Sequence, residues 1–340
     1  MTPRVSVIVP AYGAARFLPA LCESLQAQTF SDFEALIWDD GSPDNTAAAL
    51  APFRSDSRFR IFGWKPNRGV TPTTVEIFGR MKGEFWCHPG ADDILKPNFI
   101  ASRLATMEKN PRATIVHGAA ECIDEEGKSC PCGAMLNKMP ETLKGKRLLE
   151  VLLEHNIINT PSVFVRSLVT REVLPRFTGD WRYAQDWFLW LLHAATDTEL
   201  VWDPTPLHLY RIHSSSLSLR PDRAAVRDAE IRLVPLCALN TAASYSNLAN
   251  ATWQKWRHSL YSLWLRRALK LARAGQLQKE WLRVGAAAFY PDSSNVRLGT
   301  EVVRHCGSLL ASTIHDSRAR RQNTFQVSGL AAVNDPLFRH

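Results

Sequence analysis

Three carboxylate stations could do chemistry in this chain of 340 residues: Asp39-Asp40, Asp92-Asp93 and Asp186. The first follows the apolar run Phe33–Trp38, and the second follows Glu84-Phe-Trp-Cys87. Adjacent carboxylates at the end of a buried run are costly unless something neutralises them. A divalent cation carrying a diphosphate suits such a pair, because hard oxygen ligands favour Mg²⁺ or Mn²⁺. Asp186 opens an apolar helical stretch, Gln185–Leu192, where the helix dipole favours an ionised carboxylate. One station can hold a base or ribose, one a metal, and one can take a proton. Transfer from a nucleotide-activated donor to a hydroxyl needs all three roles. Blander roles stand beside these, since acidic pairs also populate solvated turns and Asp is a good helix N-cap.

Other side chains are weaker candidates. His213 can ligate a metal or touch a diphosphate, or serve structure alone; His88 and His155 carry less signal still. Trp181, Tyr183, Trp187 and Trp190 offer aromatic faces that pack on sugar rings, although at least two of them belong in a core. No Gly-x-Gly-x-x-Gly follows the first strand, and no Walker loop or Gly-x-Ser-x-Gly elbow occurs. These absences exclude a dinucleotide site, P-loop chemistry and an esterase-type nucleophile.

The elements that must position these groups read as alternating strands and helices. Strands are predicted at 5–9, 33–38, 58–62, 84–87, 113–118, 163–165 and 200–202. Between them fall a helix carrying Phe17, Leu18, Leu21 and Leu25, an Ala-rich helix from Asp44-Asn45-Thr46, and helices over 73–81, 97–110 and 147–155. Residues 124–146 read as a surface loop over the site. The pattern predicts an α/β fold with a mostly parallel sheet, whose ligands lie beyond the carboxyl ends of the strands. Both acidic pairs sit there.

Composition is that of a globular protein, 45% hydrophobic and 22% charged. No apolar run approaches the ~20 residues that cross a bilayer. The N-terminus enters a strand at once, which predicts no signal peptide. The seven cysteines show no disulfide-scaffold spacing, which predicts reduced thiols and a cytoplasmic protein. The net charge of +8 is uneven: residues 224–340 hold 16 Lys/Arg against 7 Asp/Glu. From about residue 221 the pattern becomes helical, with Trp253, Trp256, Leu260 and Leu263 at helical spacing. The division expected is therefore a catalytic domain over 1–220 and a basic helical extension over 221–340. Such a basic surface attracts anionic lipid or nucleic acid, or is simply a solvated helical face.

The motifs also carry a resemblance. Val5–Tyr12 with Phe33–Asn45 is similar to the opening of family 2 glycosyltransferases of the GT-A fold. Glu84-Phe-Trp with Ala91-Asp92-Asp93 resembles that family's metal and donor strand, Ala184–Trp190 its acceptor-side segment, and Tyr210–His213 the segment closing its catalytic domain. The resemblance covers about 1–220. It implies a nucleoside-diphosphate sugar donor, with uracil as the base, and inverting transfer to a glycan or lipid-linked acceptor of the cell surface. It implies Mn²⁺ or Mg²⁺ as cofactor, held by Asp92, Asp93 and His213. On the donor it implies Pro10, Tyr12, Asp39, Asp40, Arg68 and Asp92. Asp186 would be the base, with Trp181, Tyr183, Gln185 and Trp187 on the acceptor. No nucleic acid partner is implied, and the basic extension would dock on the inner face of the cytoplasmic membrane. Three positions depart from the family pattern: Gly90 stands where an acid usually begins the metal motif, Thr74-Val75 where an Arg-Asn pair is frequent, and Gln185 where an acid is common. The missing acid at Gly90 favours an alternative, a catalytically inactive scaffold that keeps nucleotide-sugar binding. A nucleotidyltransferase is a third reading; Ala11–Arg16 makes a poor phosphate loop for it.

Overall fold

A computed structural model describes residues 2–132, 142–179, 181–216 and 224–242. The chain divides into two compact units, Met1–Pro221 and Asp222–His340. In the second, the described part is the helix α8 (Ala224–Ala242), with Pro235 inside it. The segment carrying Trp253 to Leu263, and with it most of the basic extension, lies outside the described residues.

Among the described residues the first unit is built on one ten-stranded sheet. At its centre is β1 (Val5–Ala11), whose apolar run is buried on both faces, as a central parallel strand must be. It pairs in parallel with β2 (Phe33–Asp39) on one side and β4 (Phe85–Cys87) on the other. Beyond β2 lies β3 (Phe59–Gly63), also parallel. The connecting helices are α1 (Leu18–Gln26), the short α2 (Thr46–Ala49) and α3 (Val70–Arg80). On one face Val5, Val7 and Val9 form a core with Leu18, Leu21 and Leu25 of α1 and with Phe99, Ile100 and Leu104 of α4 (Phe99–Lys109).

The other half of the sheet mixes directions. β9 (Phe164–Arg166) runs antiparallel to both β4 and β6 (Ile115–Ile123), and β6 is parallel to β10 (Glu199–Arg211). A two-residue strand, β5 (Ile94–Leu95), then closes the edge antiparallel to β10. β7 (Ser129–Cys130) pairs with β6, and β8 (Thr142–Lys144) with β10. The helices α5 (Gly145–Glu154) and α6 (Ser167–Val173) pack against α7 (Gln185–Ala194), buried from Trp187 to Ala194 as its apolar sequence predicts.

Two expectations change. The strand expected at 200–202 proves to run from Glu199 on to Arg211 as β10, whose register slips between Asp203 and His208. Pro204 and Pro206 lie in the slip, where neither owes a ladder N–H. Inside it Asp203 meets the fully buried Arg103 of α4 at 2.6 Å. The thiols are also not all reduced: Cys122 on β6 and Cys132 form a disulfide, with Cα atoms 5.3 Å apart. The β6–β7 hairpin brings them together, so reduced thiols no longer argue for a cytoplasmic location. No helix among the described residues is long and apolar enough to cross a membrane.

Candidate active site

Strand register, parallel for the first station and antiparallel for the others, brings the carboxylate stations to one end of the sheet. Ala11 at the end of β1 aligns with Asp39 at the end of β2, and Asp39 with Gly63 at the end of β3. Cys87, ending β4, pairs with Phe164, so the turn Thr160–Ser162 that precedes β9 also stands at this edge.

In the first station the two acids divide the work. Asp40 is 3% exposed, and its carboxylate accepts the Trp64 indole N–H, the Asn67 amide and the backbone N–H groups of Arg68 and Gly69. A buried carboxylate with four donors is a structural pin, and it hangs the loop 64–69 beside β2. Both Asp40 oxygens are thus engaged inside the fold, where a free acceptor for a nucleobase was expected. Asp39 is half-buried; its Oδ1 accepts the Ser42 N–H at 2.9 Å, while its Oδ2 has no partner among the described residues. Gly41, which follows them, holds φ at 68°, and a Cβ there would lie 2.8 Å from the Asn67 nitrogen. Arg68 is exposed, with its guanidinium 4.3 Å above the Trp64 ring. Tyr12 is 55% exposed at the mouth of β1, and Pro10 lies half-buried within that strand.

The loop after β1 is no phosphate cradle. Its consecutive N–H groups at Gly13, Ala14 and Ala15 donate to Ser42 Oγ (3.0 Å), Thr46 Oγ1 (3.2 Å) and Asp44 Oδ2 (3.0 Å). Side chains of the next loop fill the place an anion would take.

The second station is assembled by β5. Its pairing with β10 carries Asp92 and Asp93 to the end of the last strand. Asp93 is 1% exposed; its Oδ1 accepts the Arg211 N–H (3.0 Å), and its Oδ2 contacts the Gly90 N–H (3.0 Å) and His208 Nε2 (3.1 Å). Both oxygens are thus engaged inside the fold, and the expected metal ligation by Asp93 is corrected on that ground. Asp92 is half-buried, and its Oδ2 lies 2.7 Å from His213 Nε2. His213 Nδ1 contacts Ser215 Oγ at 2.8 Å, which orients the ring. Arg211 donates to the Asp92 carbonyl (2.8 Å) and to the Asp124 and Glu125 carbonyls, clamping three segments. Among the described residues no group of three or more His, Cys, Asp or Glu forms a metal cage. An oxygen and a nitrogen donor this close nevertheless fit a hard cation that takes its other ligands from phosphates and water. Gly90 has its own reason: a Cβ there would lie 2.6 Å from Asp92 Oδ1 and 2.8 Å from Asp93 Oδ2. The space of the missing acid is filled by the two that follow.

The third station is the N-terminus of α7. Asp186 accepts the Thr160 hydroxyl at Oδ2 (2.7 Å) and the Trp187 N–H at Oδ1 (2.7 Å). Burial pushes its carboxyl above the ordinary carboxylate value, against the pull of these bonds and of one from Asn156. A base of raised pKa is the more basic near neutrality.

The aromatic platform is corrected in part. Trp181 and Trp187 are each 5% exposed, and Trp190 is fully buried. Their indole N–H groups donate to Thr178 O, Leu152 O and Thr160 Oγ1 respectively, so they are core residues. Tyr183 and Gln185 are half-buried just before Asp186. Sequence reasoning missed His208, Arg211 and Thr160. The alternation in Leu207–His213 was the available signal for the first two; Thr160 offered none.

Comparisons with known proteins give the family and the fold. The profile of the family described as Glycosyl transferase family 2 matches residues 6–168. A Haemophilus influenzae protein named "Uncharacterized glycosyltransferase" is 30% identical over 221 residues, covering 64% of this chain and 68% of that one. The Escherichia coli protein WfgD, named as a UDP-Glc:alpha-D-GlcNAc-diphosphoundecaprenol beta-1,3-glucosyltransferase, is 27% identical over 191 residues, 55% of this chain and 68% of its own. Longer relatives match in part, this chain spanning 18 to 21% of their length. The crystal structure of S. aureus TarS 1-349 in complex with UDP-GlcNAc superposes with a TM-score of 0.62 at 14% identity, covering 84% of this chain and 80% of that TarS 1-349 chain, a likeness of fold. The sheet and its edge define a GT-A nucleotide-sugar transferase architecture. The chain belongs to glycosyltransferase family 2 and is a transferase enzyme.

Proposed function

We propose that this enzyme transfers a sugar, with inversion, from a nucleoside-diphosphate sugar to a hydroxyl of a glycan or lipid-linked acceptor in cell-surface polysaccharide synthesis. The observation that carries it is Asp186, a carboxylate of raised basicity at the same sheet edge as the Asp92–His213 pair. Asp186 removes the proton of the acceptor hydroxyl as that oxygen attacks the anomeric carbon. The bond from that carbon to the diphosphate breaks on the opposite face, and the nucleoside diphosphate leaves. Asp39 offers its unpartnered oxygen to a nucleobase N–H, as the imide of uracil presents, with Tyr12 and Arg68 flanking. Asp92 and His213 would hold the divalent cation, Mn²⁺ or Mg²⁺, whose chemistry is to neutralise the departing diphosphate. Tyr183 and Gln185 would face the acceptor. The name of WfgD, with its UDP-sugar and diphosphoundecaprenol, supports this substrate class, as does the UDP-GlcNAc bound to TarS.

The inactive-scaffold reading is favoured by Gly90 alone, and a binding protein has no use for the basicity of Asp186. The test is a panel of nucleoside-diphosphate sugars with and without Mn²⁺, following nucleoside diphosphate release, with Asp186→Asn run beside wild type. Metal-dependent release from one donor, abolished in the variant, is expected. Donor binding without release across mixed glycan and polyprenyl acceptors would favour the scaffold. The enzyme is further proposed to be cytoplasmic and to dock on an anionic membrane face through its basic C-terminal region, which the charge of residues 224–340 supports. Sedimentation with anionic vesicles should be lost when that region is removed; unchanged sedimentation would sink the docking.

A further inference from the structure

Thr160 makes two hydrogen bonds whose directions can be deduced. Its Oγ1 lies 2.7 Å from Asp186 Oδ2 and 3.1 Å from Trp190 Nε1. An indole N–H only donates, so Thr160 must accept that bond. The hydroxyl has a single proton, and an ionised carboxylate only accepts, so the proton is committed to Asp186. Asp186 and Trp190 stand four residues apart on α7 and therefore on one face of it. Trp190 is fully buried, its ring stacked at 7° on Trp86, whose own N–H is tied to Thr170 Oγ1 at 2.8 Å. The indole is thus held in place. The Trp187 N–H donates to the other carboxylate oxygen, and the Asn156 side chain adds a further bond to the carboxylate. Each oxygen of Asp186 has a fixed partner, and the carboxylate plane is held at both ends.

We propose that Trp190 and Thr160 form a directed relay that aims Asp186 at the acceptor hydroxyl, with Thr160 the positioning residue and Trp190 the group that sets its proton. The proposal rests on the reading of Asp186 as the base. The relay also bears on charge, because a donor to the carboxylate favours its ionised form while burial opposes it. Among the described residues no charged side chain pairs with Asp186. The titratable groups on the elements around it are Lys146, Arg147, Glu150 and Glu154 of α5, Arg171 and Glu172 of α6, and His193 of α7 itself. His193 is held neutral by burial, with Nε2 against Thr170.

The experiment compares rate against pH for wild type, Thr160→Val, Thr160→Ser, Trp190→Phe and Asp186→Asn, on the full chain with its donor and acceptor. Folding is checked by circular dichroism. Thr160→Val keeps the shape and removes the hydroxyl. It should move the acid limb of kcat upward by about one pH unit, the worth of a hydrogen bond to a charged group, and lower kcat about tenfold with donor KM unchanged. Thr160→Ser should restore both. Trp190→Phe keeps a ring and removes the N–H, and should shift the limb the same way by less; it carries the test if Thr160→Val fails to fold. A wild-type limb and rate in Thr160→Val, with Asp186→Asn inactive, would overturn the relay and leave the base standing. Wild-type turnover in Asp186→Asn would overturn both.

Discussion

Gly90 shows how a single position can be read two ways. Counted as a family feature, it is an acid lost from the metal motif. Read in place, it is the room that Asp92 and Asp93 need, since any Cβ would fall 2.6 to 2.8 Å from their oxygens. Asp93 is locked by three partners, whereas Asp92 has a half-exposed carboxylate that can turn. The intrusion therefore falls on the Asp92–His213 pair. Gly90→Ala is expected to cut metal-dependent turnover at least tenfold while the thermal midpoint moves little. A normal rate at normal Mn²⁺ demand would show that Asp92 does not need this geometry.

At the scale of elements, the loop 64–69 depends on a carboxylate in a neighbouring strand's turn. Asp40→Ala removes four acceptor bonds from N–H groups and should lower stability by about 3 kcal/mol in urea unfolding. Asp39→Ala should leave stability nearly unchanged and raise donor KM about tenfold. A reversed pattern would exchange their roles. The sequence made both acids visible as a pair after an apolar strand, yet not this division, because one residue beyond a strand end the side-chain direction is set by the turn. The parallel strands were legible for a simple reason: runs such as Val5–Val9 must be buried on both faces. β5 was not, since two residues carry no periodicity, and it was β5 that brought Asp92 to His213. α7 was legible as buried, but its tryptophans were ambiguous until their N–H partners were known. The Cys122–Cys132 bridge depended on a hairpin register that spacing alone does not reveal.

For the whole molecule, buried histidines tie stability to pH, His88 among them, its pKa lowered by burial. His117 and His193 are both pushed down to about 3, chiefly by burial, with the Arg103 charge adding to the first. An unfolded chain protonates them near pH 6.5. Between that value and the folded one the unfolded state binds more protons, so stability falls as pH falls below about 6.5. The loss approaches about 1.4 kcal/mol per pH unit for each histidine. Thermal midpoints measured from pH 7 to pH 5 should fall steadily, and the slope should be shallower in His117→Phe, which keeps a ring against Trp202. An unchanged slope would mean that His117 is accessible to protons in the folded state.

The pairing of β5 with β10 also sets an order of events during synthesis. The contacts of Asp93 with Arg211 and of Asp92 with His213 join residues 118 and 121 positions apart. The early strands can collapse while the ribosome is still translating, but the cation pair waits for residue 213 to clear the exit tunnel. On the proposed reading of these residues, a nascent chain halted short of that point has Asp39 in place but no Asp92–His213 pair, and full-length synthesis must precede transfer.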